Sequence, residues 1–173
     1  VTPPIDVEVA LSVTDELLRR AEERAADHAR DGLGAAPRRR VAVVTCMDPR
    51  IDPAALLGLE PGDVHVLRNA GGVVTDDTIR SLAISQRKLG TEEVVLIHHT
   101  DCELHTFDDD GFRDEIRRET GIKPSWSAET FSDLDSDVRQ SIARIEASPF
   151  LRDRGLVRGF VLDVGTGRLR EIT

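Results

Sequence analysis

Short apolar runs at residues 41–45, 64–67, 94–98 and 160–164 recur with helical patterns between them, and that alternation restricts the fold more than any other feature of the chain. The runs Val41-Ala42-Val43-Val44 and Val94-Val95-Leu96-Ile97 are continuous rather than alternating, as in central parallel strands covered by helices on both faces. Helices are expected at about residues 53–58, 77–89, 110–120 and 134–147. In the last of these Leu134, Val138, Ile142 and Ile145 keep helical register, and Gly90 and Gly121 supply stops for the two before it. Gly165-Thr166-Gly167 fits a turn joining the fourth run to an edge strand at 168–172. The expected class is α/β, a mostly parallel central sheet flanked by helices, with an antiparallel carboxyl-terminal edge strand.

Ahead of this pattern, residues 14–30 read as a helix. Ser12 and Thr14 offer caps, Asp15 and Glu16 suit its positive end, and Leu18, Ala21, Ala25 and Ala29 line a narrow apolar face. Residues 32–40, with Gly, Ala, Pro and three arginines, read as a linker. At 173 residues the chain can bury a core of its own as a single globular domain. Residues 1–39 form a helical arm and linker in this reading, and residues 40–173 the α/β unit.

Charge narrows the partners. A formal net charge of −9 argues against a broad basic field that would hold nucleic acid or an anionic membrane, and a small or neutral substrate is easier to reconcile. No stretch approaches the length of a spanning apolar helix, and the amino-terminal segment is charged and interrupted by Pro3 and Pro4. The expectation is a soluble, cytoplasmic protein.

The two cysteines carry the chemistry. Cys46 opens Cys46-Met47-Asp48-Pro49-Arg50 just past the first apolar run, and Cys102 closes His99-Thr100-Asp101-Cys102 just past the third. Both clusters fall at the carboxyl ends of expected strands, where open α/β sheets place their sites. Neighbouring strands would lie about 4.8 Å apart, close enough for both clusters to share one ion. Two thiolates and an imidazole suit zinc, and Asp48 could add an oxygen or withdraw to leave a coordination position open. A disulfide is the competing pairing, but each cysteine has other metal-competent residues beside it. His99 is favoured over His98, which as the last residue of its strand should point to the opposite face.

Cys46-x-Asp48-x-Arg50 together with His99-x-x-Cys102 resembles the signature of the β-class carbonic anhydrases. Arg68-Asn69-Ala70-Gly71-Gly72 lies between the halves, where that family carries an Arg-Asn-Ala-Gly segment, and the likeness runs from about residue 40 to the end. The resemblance implies that Cys46, His99 and Cys102 are zinc ligands, and that Asp48, held by Arg50, either binds the metal or hydrogen-bonds its water. The implied activity is reversible hydration of carbon dioxide to bicarbonate and a proton by zinc-bound hydroxide. Zinc lowers the pKa of water from about 15.7 to roughly 7 in favourable sites, and two thiolates should hold it higher, favouring alkaline conditions. The family also implies a homodimer or an assembly of dimers, with the amino-terminal helix a reasonable element to reach across. Two alternatives stand beside it: a silent zinc-bound scaffold with Asp48 closing the site, and hydrolysis of carbonyl sulfide or carbon disulfide.

Two positions depart from the family pattern. Glu103 replaces the common glycine after the second cysteine, which either alters the turn slightly or places a charge or proton relay beside the metal. Pro49 replaces a commoner serine or alanine, and could stiffen the Asp48–Arg50 pair or change how freely Asp48 swings. Several motifs fail on inspection. Residues 69–72 lack the full dinucleotide fingerprint, and a thiol phosphatase would need arginine at position 52, which is Asp52. Asp108-Asp109-Asp110-Gly111 lacks the remaining calcium ligands and reads as a helix start. His28, His65 and His105 read as surface or structural residues, and Trp126 as a core or interface anchor.

Overall fold

The computed structural model describes residues 12–28 and 32–173. The chain divides into two compact units, Val1–Leu33 and Gly34–Thr173. In the first, α1 spans Val13–Glu23 and starts in a capping box, with the Ser12 hydroxyl accepting from the Asp15 N–H and the Asp15 carboxylate returning to the Ser12 N–H. Arg19 pairs with Glu23 and Arg20 with Glu16 one turn away. The helix is shorter than the expected 14–30: Thr14 lies inside it rather than capping it, and a separate 3-10 turn, Ala26–His28, follows. Ala29 and Arg30, and the proline-interrupted segment with Pro3 and Pro4, lie outside the described residues.

The second unit is built on one five-stranded sheet. Its strands are β1 (Val41–Cys46), β2 (Val64–Asn69), β3 (Glu93–His99), β4 (Val157–Asp163) and β5 (Arg168–Ile172). The spatial order is β2-β1-β3-β4-β5, with every pair parallel except the antiparallel β4–β5 edge. The continuous apolar runs are the two central strands, because both of their faces are covered. On one face Ala42, Val44, Val94 and Leu96 pack against Leu82 of α3 (Asp76–Leu89) and Ile145 of α5 (Leu134–Ala147). On the other, Val43 and Ile97 meet Leu56 and Leu57 of α2 (Pro53–Leu57), Leu104 and Phe131.

Local chemistry sets the helix limits. Asp52, Thr75, Asp108 and Asp133 accept first-turn N–H groups at the starts of α2, α3, α4 (Asp109–Thr120) and α5. Gly90 and Gly121, both left-handed, end α3 and α4 as expected. Close packing of α5 on β4 depends on Gly159, where an added Cβ would stand 2.3 Å from Val138 Cγ1. Trp126 is not a core residue: it is 54% exposed and meets Phe112 at a tilted angle, with ring centroids 6.4 Å apart. Among the described residues, no helix is long and apolar enough to cross a membrane.

Candidate metal centre

Parallel pairing of β1 with β3 sets Thr45 beside Ile97, so the carboxyl ends of both strands finish together. Cys46 is the last residue of β1 and His99 the last of β3, each one position inside the strand rather than just past it. Cys102 returns through a turn that contains Asp101 at φ 55°, a left-handed conformation that aspartate tolerates better than most side chains. The Cys46 and Cys102 sulfurs and a His99 ring nitrogen all lie within 4.8 Å of one another, and all three residues are buried.

The donor set fits zinc. His99 Nδ1 donates to the Thr100 carbonyl at 2.9 Å, which leaves the Nε2 lone pair free to bind a metal. Nε2 is buried and has no hydrogen-bond partner. An orphaned imidazole nitrogen facing two thiols would be costly unless something binds there.

Electrostatics agree. The Cys46 thiol is held below the usual thiol range, chiefly because Cys102 donates to its sulfur, with help from backbone N–H groups against the opposing cost of burial. One of these is the Gly71 N–H, 3.3 Å from Cys46 Sγ. Cys102, left as the donor of the pair and buried, is pushed well above the usual thiol range. Burial pulls the His99 imidazole down, but the Cys46 thiolate and the Asp48 carboxylate more than offset it, and the net direction is upward. The site already gathers negative charge for a cation.

Asp48 stands beside this group and is not a member of it. Arg50 Nε and Nη2 donate to its two carboxylate oxygens at 3.0 and 2.8 Å, and the Arg50 N–H adds a third bond at 2.8 Å. That grip holds the Asp48 carboxyl far below the usual carboxylate range. Asp48 Oδ2 is 4.0 Å from His99 Nε2. Arg50 Nη2 also donates to the Asp101 carbonyl at 3.0 Å, so one guanidinium ties the two halves of the site together.

Both departures from the family pattern have structural accounts. Ile51 N–H donates to the Asp48 carbonyl at 3.0 Å, which makes Asp48-Pro49-Arg50-Ile51 a turn with proline at its favoured second position. Pro49 therefore stiffens the segment that presents Asp48 to Arg50. Glu103 begins a 3-10 turn, Glu103–His105, and is absent from the residues with positive φ, so glycine is not needed there. Its carboxylate accepts from Thr106 Oγ1 at 3.1 Å.

The other histidines lie outside the Cys46, His99 and Cys102 cluster. His98 is fully buried, with Nδ1 2.9 Å from Asp137 Oδ2 of α5. His65 bridges Ser85 Oγ and the Ala35 carbonyl, His105 Nδ1 lies 3.1 Å from the Phe131 carbonyl, and His28 ends the 3-10 turn of the first unit.

The glycine pair of 69–72 is a close-packed wall. A Cβ on Gly72, whose φ is 73°, would lie 2.8 Å from the Cys46 nitrogen, and one on Gly71 would lie 2.6 Å from Leu104 Cδ2. The backbone donor at Gly71 and the accepting carbonyl at Thr100 carry no residue-type signal.

Residues 41–169 match the family described as carbonic anhydrase. The chain is 51% identical over 163 residues to Beta-carbonic anhydrase 1 of Mycobacterium tuberculosis, covering 94% of this chain and 99% of that protein. A carbon disulfide hydrolase of Acidithiobacillus thiooxidans is 30% identical over 159 residues, covering 80% and 79% of the two chains. The crystal structure of carbonic anhydrase from Streptococcus mutans superposes with a TM-score of 0.87 at 41% identity, covering 94% of this chain and 99% of that one. By sequence, fold and the clustering of Cys46, His99 and Cys102, the chain belongs to the β-carbonic anhydrase family.

Proposed function

We propose that the chain catalyses reversible hydration of carbon dioxide to bicarbonate and a proton, with zinc held by Cys46, His99 and Cys102. The observation that carries this reading is the separation of roles: three ligands converge, while Asp48 is bound to Arg50 instead of joining them. A structural zinc site is closed by four protein ligands, whereas a catalytic one keeps a position free. When bound, zinc acts as a Lewis acid that makes water acidic enough to lose a proton near neutral pH.

The chain's own residues supply the rest. Asp48 Oδ2 accepts a hydrogen bond from the attacking water and aims its lone pair at the carbon, and Arg50 keeps that carboxylate ionised and acceptor-only. The Gly71 N–H on Cys46 Sγ moderates how much charge the thiolate donates, and the Thr100 carbonyl holds the His99 ring in the ligating tautomer. Ile51, Ile97, Leu104 and Leu162 surround the ligands with apolar surface, a suitable environment for a small neutral gas.

The substrate is a small molecule, carbon dioxide or bicarbonate. In this reading residues 40–173 are the catalytic unit and residues 1–39 an arm, and the protein works in the cytoplasm as a homodimer or an assembly of dimers. Val13, Leu17 and Leu18, exposed on α1, supply apolar surface for a second copy. Initial rates with carbon dioxide and with carbon disulfide, on zinc-loaded and chelator-stripped protein, test the substrate. Metal-dependent turnover of carbon dioxide is expected; turnover of carbon disulfide alone would assign the hydrolase chemistry of the other relatives.

A further inference from the structure

Thr100, directly after His99, is held on three sides, twice by the carboxyl end of β4 and once by His99 itself. Its N–H donates to the Leu162 carbonyl at 2.9 Å, and its hydroxyl accepts the Val164 N–H at 3.1 Å. Its carbonyl accepts from His99 Nδ1 at 2.9 Å. The Val164 donor is itself fixed at the foot of the β4–β5 turn, where the Gly167 N–H reaches the Asp163 carbonyl and the Thr166 N–H the Asp163 carboxylate, each at 2.8 Å. The peptide that follows Thr100 enters Asp101 at φ 55°, a conformation that a residue with a Cβ keeps only where its surroundings hold it.

We propose that Thr100 is a positioning residue whose hydroxyl, bound to the end of β4, fixes the His99 ring for metal binding. A ring nitrogen can donate to the carbonyl of the very next residue only while that peptide plane faces the ring. The ladder bond to Leu162 alone would let Thr100 roll at the end of the strand. The hydroxyl bond to Val164 is a second point of attachment, and two points fix the direction in which the carbonyl leaves Cα. With the carbonyl in place the imidazole proton stays on Nδ1, and the buried Nε2 lone pair stays available to a metal shared with the two sulfurs. With the carbonyl turned away, the proton can move to Nε2 or the ring can rotate, and either change removes the nitrogen ligand. A valine at this position would keep the shape of threonine and leave the Val164 N–H without its acceptor.

The inference rests on the Cys46, His99 and Cys102 metal reading, which the parent protein tests alone: one zinc per chain held against a competing chelator. The same competition, at one fixed pH, then compares the variants. Thr100→Val should bind zinc about 10- to 100-fold more weakly than the parent, the usual scale for losing a group that orients a ligating histidine. Thr100→Ser, which restores the hydroxyl, should lie within about twofold of the parent. In a His99→Ala background, where the two thiolates still take cadmium(II), Thr100→Val should leave cadmium affinity unchanged, because the ring it positions is gone. Zinc affinity of Thr100→Val equal to the parent's would overturn the proposal. Equal weakening in Thr100→Val and Thr100→Ser would do so as well, by assigning the effect to side-chain shape. A loss of cadmium affinity in the His99→Ala background would instead assign Thr100 to the placement of Cys102. Chemical denaturation checks each metal-free variant, and a Thr100→Val that does not fold would also overturn the proposal, by assigning the hydroxyl to the fold rather than to His99.

Discussion

Arg50 holds the Asp48 carboxylate in a two-pronged grip while Asp48 Oδ2 stands only 4.0 Å from the unpartnered His99 Nε2. A group that can serve the metal as a ligand is thereby kept as a neighbour. Replacing Asp48 by Asn, or Arg50 by Gln, should leave metal content near one per chain and lower kcat by about 100-fold or more, the usual scale for a lost acid-base or orienting group. The measurement is steady-state hydration on metal-quantified protein. Unchanged kcat in either variant would remove Asp48 or Arg50 from the mechanism.

Cys46→Ser and Cys102→Ser should each abolish stoichiometric zinc binding, since a neutral hydroxyl is a poor substitute for a thiolate in this donor set. Atomic absorption on dialysed protein checks this. Retention of one tightly held zinc by either variant would show that the ligand set has been misassigned.

Gly72→Ala should cost about 2 kcal/mol of stability, because the added methyl meets the Cys46 backbone and the φ of 73° is strained for any residue with a Cβ. Chemical denaturation of the metal-free protein measures it. The same change should weaken metal binding, since relief of the clash has to displace Cys46.

Asp63 is buried between two arginines at the amino end of β2, accepting from the Glu60 N–H, Arg38 and Arg39. First the Glu60 N–H and then the two guanidinium groups pull its carboxyl down to about 2. A depressed folded value contributes stability that is present above the unfolded value of about 3.9 and lost as pH falls through the folded one. Asp63→Asn should therefore lower the melting temperature at neutral pH, and the gap to the parent should close as pH falls toward about 2. A gap independent of pH would mean that shape, not charge, is the contribution of Asp63.

The sheet was legible because β1 and β3 are buried on both faces and therefore read as unbroken apolar runs. The metal ligands were legible because Cys46 and His99 end those strands, and parallel pairing brings strand ends together. What escaped was set by contacts between segments remote in sequence. Arg68 gripping the Cys46 and Asp48 carbonyls, and the Gly71 N–H on Cys46 Sγ, are backbone-directed bonds that leave no pattern in residue type. The end of α1 was misplaced for a simpler reason: Glu23-Arg24-Ala25-Ala26 has no glycine or proline to mark a stop. Trp126 reads as a core or interface anchor by size alone, and at 54% exposure it is not part of this chain's core.

Stopped-flow carbon dioxide hydration across pH, on protein carrying one zinc per chain, tests the central claim most directly. An open site with two thiolate ligands predicts kcat rising with pH to an alkaline plateau, with loss of turnover on metal removal. Stoichiometric zinc with no hydration at alkaline pH would contradict it, and would make the centre a closed structural site.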